Sequence, residues 1–525
     1  MSQPAPQSPT HPAASLARRI AIAAALIALG NIASRFLGLA REAVIAGTFS
    51  RGSDVDVFTA ASTIPTTLYD LLINGAISAA LVPVFSEYAE GDEREFWHVA
   101  SIVINLALLV VAAVTALLIW QAPLAVTVLA GGFQANIREQ ATTMVRWLLP
   151  AVVFMGLSGL ITAILYARQR FLLPAFTTSA YNAGIIAGAL LLTPVLGPFS
   201  LVVGVLIGAL LQVALQLPGL RGMAYRPVID LRHPGVQRIL KLYAPVAMGI
   251  GFSIAGIVLD RNLASRLPAS ALSTMRYATT LIQFPLGLVA AAVSFAVLPT
   301  LARQASAGHD DAFQRTLAMG IKVVLLLIVP ATAGLAALAR PAVATLFEHG
   351  NFGARDTAAV AQALLLYLPG LPAAALDQML LFAFYAHKRT LAPNLVQGAA
   401  VLIYAASALT LLARGMGVGA LIVGNSAQWI GHLLILMVLA RGLVRVRGAR
   451  LIEALLKALL ASMVMAAVVW WAAGALEARV GQAAQLVLAG ALGLVAYVGL
   501  CALLRVEALD FFIAAVARRL QRARH

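Results

Sequence analysis

The chain has 525 residues, of which 61% are hydrophobic and only 11% charged, with a mean hydropathy of +0.91. A water-soluble domain is nearer half apolar and a quarter charged, so a single soluble core is excluded and lipid is the solvent for most of the chain. The net charge of +16 does not mark a nucleic-acid partner, because the basic residues are spread over alternate loops rather than gathered on one face, and the lone Cys501 excludes an intrachain disulfide framework or thiolate metal site.

Residues 1–17 are rich in Pro, Gln, Ser and Ala and read as a disordered tail. From Arg18 an apolar run continues past Asn31 to about Thr48 with no convincing cleavage site, so it reads as a retained first helix rather than a signal peptide. Further apolar runs give spans at roughly 55–89, 95–122, 140–168, 174–195, 198–218, 236–265, 269–304, 312–340, 356–387, 391–413, 418–441, 451–474 and 483–504. Runs of about 20 to 30 residues select helices over barrel strands, because a strand crosses the bilayer in about ten. The fold class expected is therefore all-α integral membrane, with about fourteen transmembrane helices.

Basic residues cluster in alternate loops, at Arg18 and Arg19, Arg168 and Arg170, Arg221 to Lys241, Arg303 to Lys322, Lys388 and Arg389, Arg441 to Lys457, and in the tail 505–525. The intervening loops carry fewer, namely Arg51, Arg138, Arg266, Arg340, Arg355, Arg414 and Arg479. This asymmetry predicts that both termini are cytoplasmic.

The chain also repeats itself. Phe133, Pro150, Tyr166, Ala167, Arg170 and Pro174 recur as Phe352, Pro369, Tyr385, Ala386, Arg389 and Pro393, every pair offset by 219 residues, as 369 is from 150. Six spans precede the seventh, so the two copies share one orientation and predict parallel repeats. The expected domains are an N-lobe (18–218, six helices), a C-lobe (236–441, six helices), two extra helices (451–504) and a basic tail (505–525). Two-lobed parallel repeats favour a transporter with its substrate cavity between lobes; the alternative is an old duplication in a scaffold or enzyme.

Polar residues inside lipid are costly and usually face a cavity or a partner. At 100° per residue, Asn31, Ser34, Arg35, Gly38, Arg41 and Glu42 share an arc of about 120° on the first span. Asp56, Thr59, Thr63, Thr66, Thr67, Asp70, Asn74 and Ser78 do so on the second, and Arg276, Thr279, Thr280, Gln283, Gly287 and Ser294 on the eighth. The seventh is weaker, with Ser253, Gly256, Asp260 and Arg261. Four such stripes favour a hydrated cavity, and its arginines suit an anion, since guanidinium binds phosphate bidentately. The alternative is interhelical glue, with pairs such as Arg35–Asp56 or Arg41–Glu42. Pro65, Pro83, Pro285 and Pro299 serve equally well as hinges or as passive kinks. No phosphate-cradling glycine loop marks ATP hydrolysis, and no cofactor is expected.

The stretch SRFLGLARE (Ser34–Glu42), the aspartate Asp56 and the run NGAIS…PVFSEY (Asn74–Tyr88) resemble the MurJ/MviN family, the lipid II flippases of the multidrug/oligosaccharidyl-lipid/polysaccharide exporter superfamily. Similar stretches are RFLLPAF with Asn182, QFPLGLVAAAVSFAVLPTLAR, LFEHGNF and FYAHKRTLAP, so the resemblance covers the first twelve spans. It implies a bacterial inner-membrane protein, not an enzyme, that moves undecaprenyl-diphosphate-linked peptidoglycan precursor between leaflets by alternating access. Arg35 and Arg41 stand at the family's diphosphate-engaging arginines and Asp56 at its second-helix carboxylate, and the two extra helices would form a groove for the polyprenyl tail. Cell-wall synthesis proteins are candidate partners beside membrane lipids.

The chain departs from that pattern too. Tyr69 stands where many members have arginine, Asn74 where they have glutamate, and Thr280 at the eighth-helix arginine, leaving Arg276 one turn away as a candidate substitute. Asp260 matches an aspartate that binds sodium in some members, but the eleventh span, VLIYAASALTLL, lacks the accompanying carboxylate. Asp260 and Asp377 are the candidates for proton or sodium coupling, with membrane potential as the third option; for Asp377 a helix-pairing role is the stronger reading. Other functions weighed are export of another polyprenyl-linked saccharide, a drug or cation antiporter, which would want a carboxylate-dominated cavity, and a polyprenyl-phosphate glycosyltransferase, which would want a larger outer loop.

Overall fold

A computed structural model of the chain describes residues 12–510, apart from 388, 390, 443–449 and 478. The tails 1–11 and 511–525, and the side chains of Arg18, Arg19, Ser78, Ser294 and Pro299, lie outside the described residues. The described chain is helical and has no strands. Its helices are α1 (Pro12–Phe49), α2 (Ser53–Tyr69), α3 (Val82–Ala89), α4 (Glu93–Trp120), α5 (Ala122–Ala130), α6 (Ala135–Leu148), α7 (Pro150–Ala167), α8 (Leu172–Ala175), α9 (Thr177–Leu191), α10 (Thr193–Leu196) and α11 (Phe199–Gln216). They continue as α12 (Pro234–Ala264), α13 (Ala271–Ala296), α14 (Leu298–Ser306), α15 (Asp310–Ala337), α16 (Ala339–Phe347), α17 (Ala354–Tyr367), α18 (Leu371–Ala386), α19 (Leu391–Ala413), α20 (Val418–Leu439), α21 (Leu451–Leu476) and α22 (Gln482–Leu503).

Among the described residues, 10 helices are long and apolar enough to cross a membrane by length and composition. The other expected spans fall on α1, on the α2–α3 run, on the short α9 and on α13, so a count of fourteen requires adding those four.

The second expected span is not one regular helix. Between α2 and α3 the backbone widens into two π-helical turns, Asp70–Asn74 and Ile77–Leu81. Pro83 explains the second: its ring would clash with the carbonyl four residues back, at Ala79, and the wider turn relieves that contact. The fourth and tenth spans are each broken once. Leu149 separates α6 from α7 just before Pro150, and the 3-10 turn Leu368–Gly370 separates α17 from α18 at Pro369. These prolines are one repeat apart, so the same missing N–H interrupts both copies at the same place. The turns after α7 and α18 also correspond: the N–H of Arg170 donates to Leu165 at 2.8 Å, and that of Arg389 to Phe384 at 2.9 Å.

The chain divides into two compact units. One comprises 1–41, 65–120 and 146–246. Within it α9 crosses α11 through two small-residue pairs, Gly184 and Gly188 against Gly204 and Gly208, where any Cβ would collide with the opposing backbone. With no hydrophobic drive between helices in lipid, such close van der Waals approach is what holds a pair together. A polar cluster ties α11 to α7 in the same unit: Gln216 Nε2 donates to Ser158 Oγ at 2.7 Å, and Thr162 Oγ1 donates to Gln216 Oε1 at 2.9 Å.

The other unit comprises 42–64, 121–145 and 247–525. Here α21 packs on α15 and on α22 around Ala461, Met465, Val469 and Tyr497, and the Tyr497 hydroxyl donates to the Leu326 carbonyl at 2.8 Å. The last turn of α1 is held by the loop after α16: the Asn351 N–H donates to Gly47 O at 2.8 Å and its side-chain amide to Thr48 O at 2.6 Å. Phe347, Phe352 and Tyr277 pack as rings beneath that junction, with Tyr277 donating to Ser50 O at 2.8 Å.

Candidate functional site

The polar stripe on α1 has a definite set of partners. Arg41 Nη1 donates to Asn182 Oδ1 at 2.9 Å, and Asn182 Nδ2 donates to the Ser34 carbonyl at 3.1 Å. Asn182 is 3% exposed and lies on α9. Its amide thus bridges the arginine to the backbone about two turns earlier on the same helix, and so fixes the position of the guanidinium. Gly38 sits between, with Asn182 in van der Waals reach of where its Cβ would be. Ser34 Oγ is turned back onto the Asn31 carbonyl at 3.0 Å, and Asn31 is exposed. Arg35 is half-buried on the same helix.

Glu42, the next residue after Arg41, is in the other unit and is 1% exposed. Its carboxylate receives both arms of Arg276, Nε at 2.7 Å and Nη2 at 2.9 Å. Arg276 Nη1 reaches Thr59 Oγ1 at 3.3 Å, and the guanidinium carbon lies 5.4 Å from the Phe58 ring centroid. A bidentate fork over an aromatic face is the geometry for which arginine is suited and lysine is not. The sequence marks Arg276 as a cavity arginine; the structure gives it a carboxylate partner 234 residues away that no periodicity indicates.

Asp56 is 4% exposed and accepts two backbone N–H groups, from Ser270 and Ser273, each at 2.7 Å. Those amides open α13, so the carboxylate caps a helix that is not its own and sits where the helix dipole favours an anion. Arg51, read from sequence only as a loop charge, pairs with Asp356 at 3.0 Å and donates to Ser270 and Thr274 at 3.0 Å each. Asn74 donates to Asp70 Oδ1 at 2.9 Å, one turn along its own exposed face. Gln283 is exposed, and Thr280 Oγ1 bonds back to the Arg276 carbonyl at 2.9 Å.

The two carboxylates proposed for ion coupling are both partnered. The Tyr404 hydroxyl donates to Asp260 Oδ1 at 2.6 Å, and Arg261 Nη1 contacts Oδ2 at 3.1 Å. They line a cavity of about 260 Å³ with Ser253, Arg276, Gln397, Asn425 and Gln428. Asp377 Oδ1 meets His432 Nδ1 at 2.8 Å, across from α18 to α20. Neither Tyr404 nor His432 stands out in the sequence; both sit in apolar helices whose pattern carries no mark of the partner. Among the described residues, no three His, Cys, Asp or Glu side chains gather to hold a metal.

The family model described as "Lipid II flippase MurJ" matches residues 45–489. The chain is 33% identical to the lipid II flippase MurJ of Burkholderia cenocepacia over 68% of this chain and 71% of that one. It is 31% identical to the probable lipid II flippase MurJ of Haemophilus influenzae, over 84% and 90% respectively. The fold is similar to a solved lipid II flippase MurJ in an inward closed conformation, with TM-score 0.78 and 24% identity over 91% of this chain and 98% of that one. It is also similar to an inward-facing multidrug resistance MATE family transporter of the MOP superfamily, with TM-score 0.65 and 14% identity over 79% and 95%. This chain is a membrane transporter, not an enzyme, and it belongs to the MurJ family.

Proposed function

We propose that this chain translocates the undecaprenyl-diphosphate-linked peptidoglycan precursor, lipid II, from the inner to the outer leaflet of the bacterial plasma membrane by alternating access, for cell-wall synthesis. The observation that carries this reading is Arg41, held by the buried Asn182 on a helix whose polar face also bears Arg35. Two guanidinium groups on one face of one membrane helix fit a diphosphate far better than a cationic drug. Fourteen spans, two repeated lobes, two added helices and cytoplasmic termini complete the proposal, with membrane lipids and cell-wall synthesis proteins as the expected partners.

The driving force is proposed to be the membrane potential, without sodium. Asp260 supports this: its two oxygens already face a hydroxyl donor and the neighbouring guanidinium, so the cation beside it is one the chain supplies itself. Net charge moved across the membrane with the lobes would gain about 2.3 kcal/mol per elementary charge per 100 mV. The deciding experiment is to deplete the resident lipid II flippase of a tractable bacterium and express this chain. Restored growth supports the reading; no growth, with raised tolerance to cationic drugs, supports an antiporter instead.

A further inference from the structure

A second cavity shares no lining residue with the one around Asp260 and Tyr404. It measures about 630 Å³ and is lined by Arg340, Pro341 and Glu348 around α16, by Trp470 and Trp471 near the end of α21, and by Glu477 and Gln482 beyond it. Its chemistry is mixed in a specific way: one guanidinium, two carboxylates, and two indoles that are 72% and 69% exposed. Paired, exposed tryptophans at the end of a membrane helix belong at the headgroup level of a bilayer. In the proposed topology the Arg340 and Arg479 loops are both outside, so this cavity opens at the outer leaflet.

The floor is rigid. Gln485 is buried and its amide donates to the Ala473 carbonyl at 2.7 Å, tying the start of α22 to the end of α21. Glu348, which lines the cavity, is positioned by the Thr357 hydroxyl, which donates to one of its oxygens at 2.6 Å. A shape held by its own bonds costs little to occupy.

We infer that this cavity is a binding site for the headgroup of an outer-leaflet glycerophospholipid that carries both a phosphate and a primary ammonium. Arg340 takes the phosphate, Glu348 and Glu477 take the ammonium, and the indole faces add cation–π attraction to it. Charge complementarity selects this occupant over the alternatives. A purely anionic headgroup would satisfy Arg340 but lie against two uncompensated carboxylates. A headgroup with a quaternary ammonium keeps the charge but loses the N–H donors that the carboxylates accept. A large, double-anionic lipid meets the same repulsion twice.

The test uses the full chain in detergent and does not involve transport, so its failure leaves the flippase reading standing. Short-chain phosphatidylethanolamine, phosphatidylglycerol and phosphatidylcholine are titrated in turn, and retention is read by native mass spectrometry. The wild type is expected to hold phosphatidylethanolamine roughly fivefold more tightly than phosphatidylglycerol. Arg340→Gln should weaken all three lipids, whereas Glu348→Gln with Glu477→Gln should erase the preference for the amine and spare overall retention. Trp470→Phe with Trp471→Phe should loosen phosphatidylethanolamine and phosphatidylcholine more than phosphatidylglycerol. Equal retention of the three lipids by the wild type, or a preference that survives the double glutamate variant, overturns the inference.

Discussion

The Arg276–Glu42 pair offers the sharpest test of how this bundle is held and what its arginines are for. The pair is nearly dry: the Glu42 side chain is 2% and that of Arg276 16% exposed. Both arms of the fork are short, and Phe58 covers the guanidinium. Replacing Arg276 with Met leaves a buried carboxylate without this counter-charge, which costs about 3–5 kcal/mol. Glu42→Leu takes the carboxylate away from a guanidinium whose side chain is only 16% exposed, at a similar cost. The double variant removes both charges together, and substituting a buried ion pair by apolar side chains is commonly close to neutral. Its loss should therefore be less than half the sum of the two single losses. Unfolding of the full chain by SDS titration, followed by tryptophan fluorescence, measures all four proteins. Additivity within about 0.5 kcal/mol would refute the account, because it would mean that the two side chains do not depend on each other. Complementation of a flippase-depleted strain then separates roles. If Arg276 only braces α13 against the end of α1, the double variant regains growth along with stability; if it also engages substrate, stability returns and growth does not.

Arg35→Ala and Arg41→Ala are each expected to abolish complementation at normal membrane abundance, with Arg41→Lys partly active because lysine loses the bidentate fork; full growth in both alanine variants would sink the diphosphate assignment. Asn182→Ala should cost roughly 1–3 kcal/mol by removing the acceptor that faces Arg41, and Asn182→Asp should retain more activity than Asn182→Ala, a ranking read by the same growth assay. Reporters fused after His525 and inserted near Arg232 should read cytoplasmic and one near Arg266 extracytoplasmic; an outward C-terminus would require an odd number of spans and break the two-lobe proposal. Transport in proteoliposomes should follow the imposed potential and persist without sodium, and strict sodium dependence at fixed potential would return Asp260 to the role of ion ligand.

Much of this protein is written in one dimension. Hydropathy alone identifies a helical membrane protein, because lipid offers backbone groups no partner except their own helix. Helical periodicity marks the polar faces of the first, second and eighth spans, because side chains three and four apart share a face. The repeat at 219 residues places Pro150 and Pro369 in register, and both interrupt their helices in the structure. What the sequence does not contain is the identity of partners across the fold. Glu42 on α1 receives the fork of Arg276 from α13; Asp56, read as a cavity carboxylate, spends both oxygens on the first turn of α13; Asp260 and Asp377 find Tyr404 and His432 on other helices. Periodicity reports which way a side chain points around its own helix axis, but the rotation and depth of the neighbouring helix decide what it meets. Those are set by packing, by the close Gly–Gly crossing of α9 on α11 or the seating of α1 on the Asn351 loop, and only the assembled bundle fixes them.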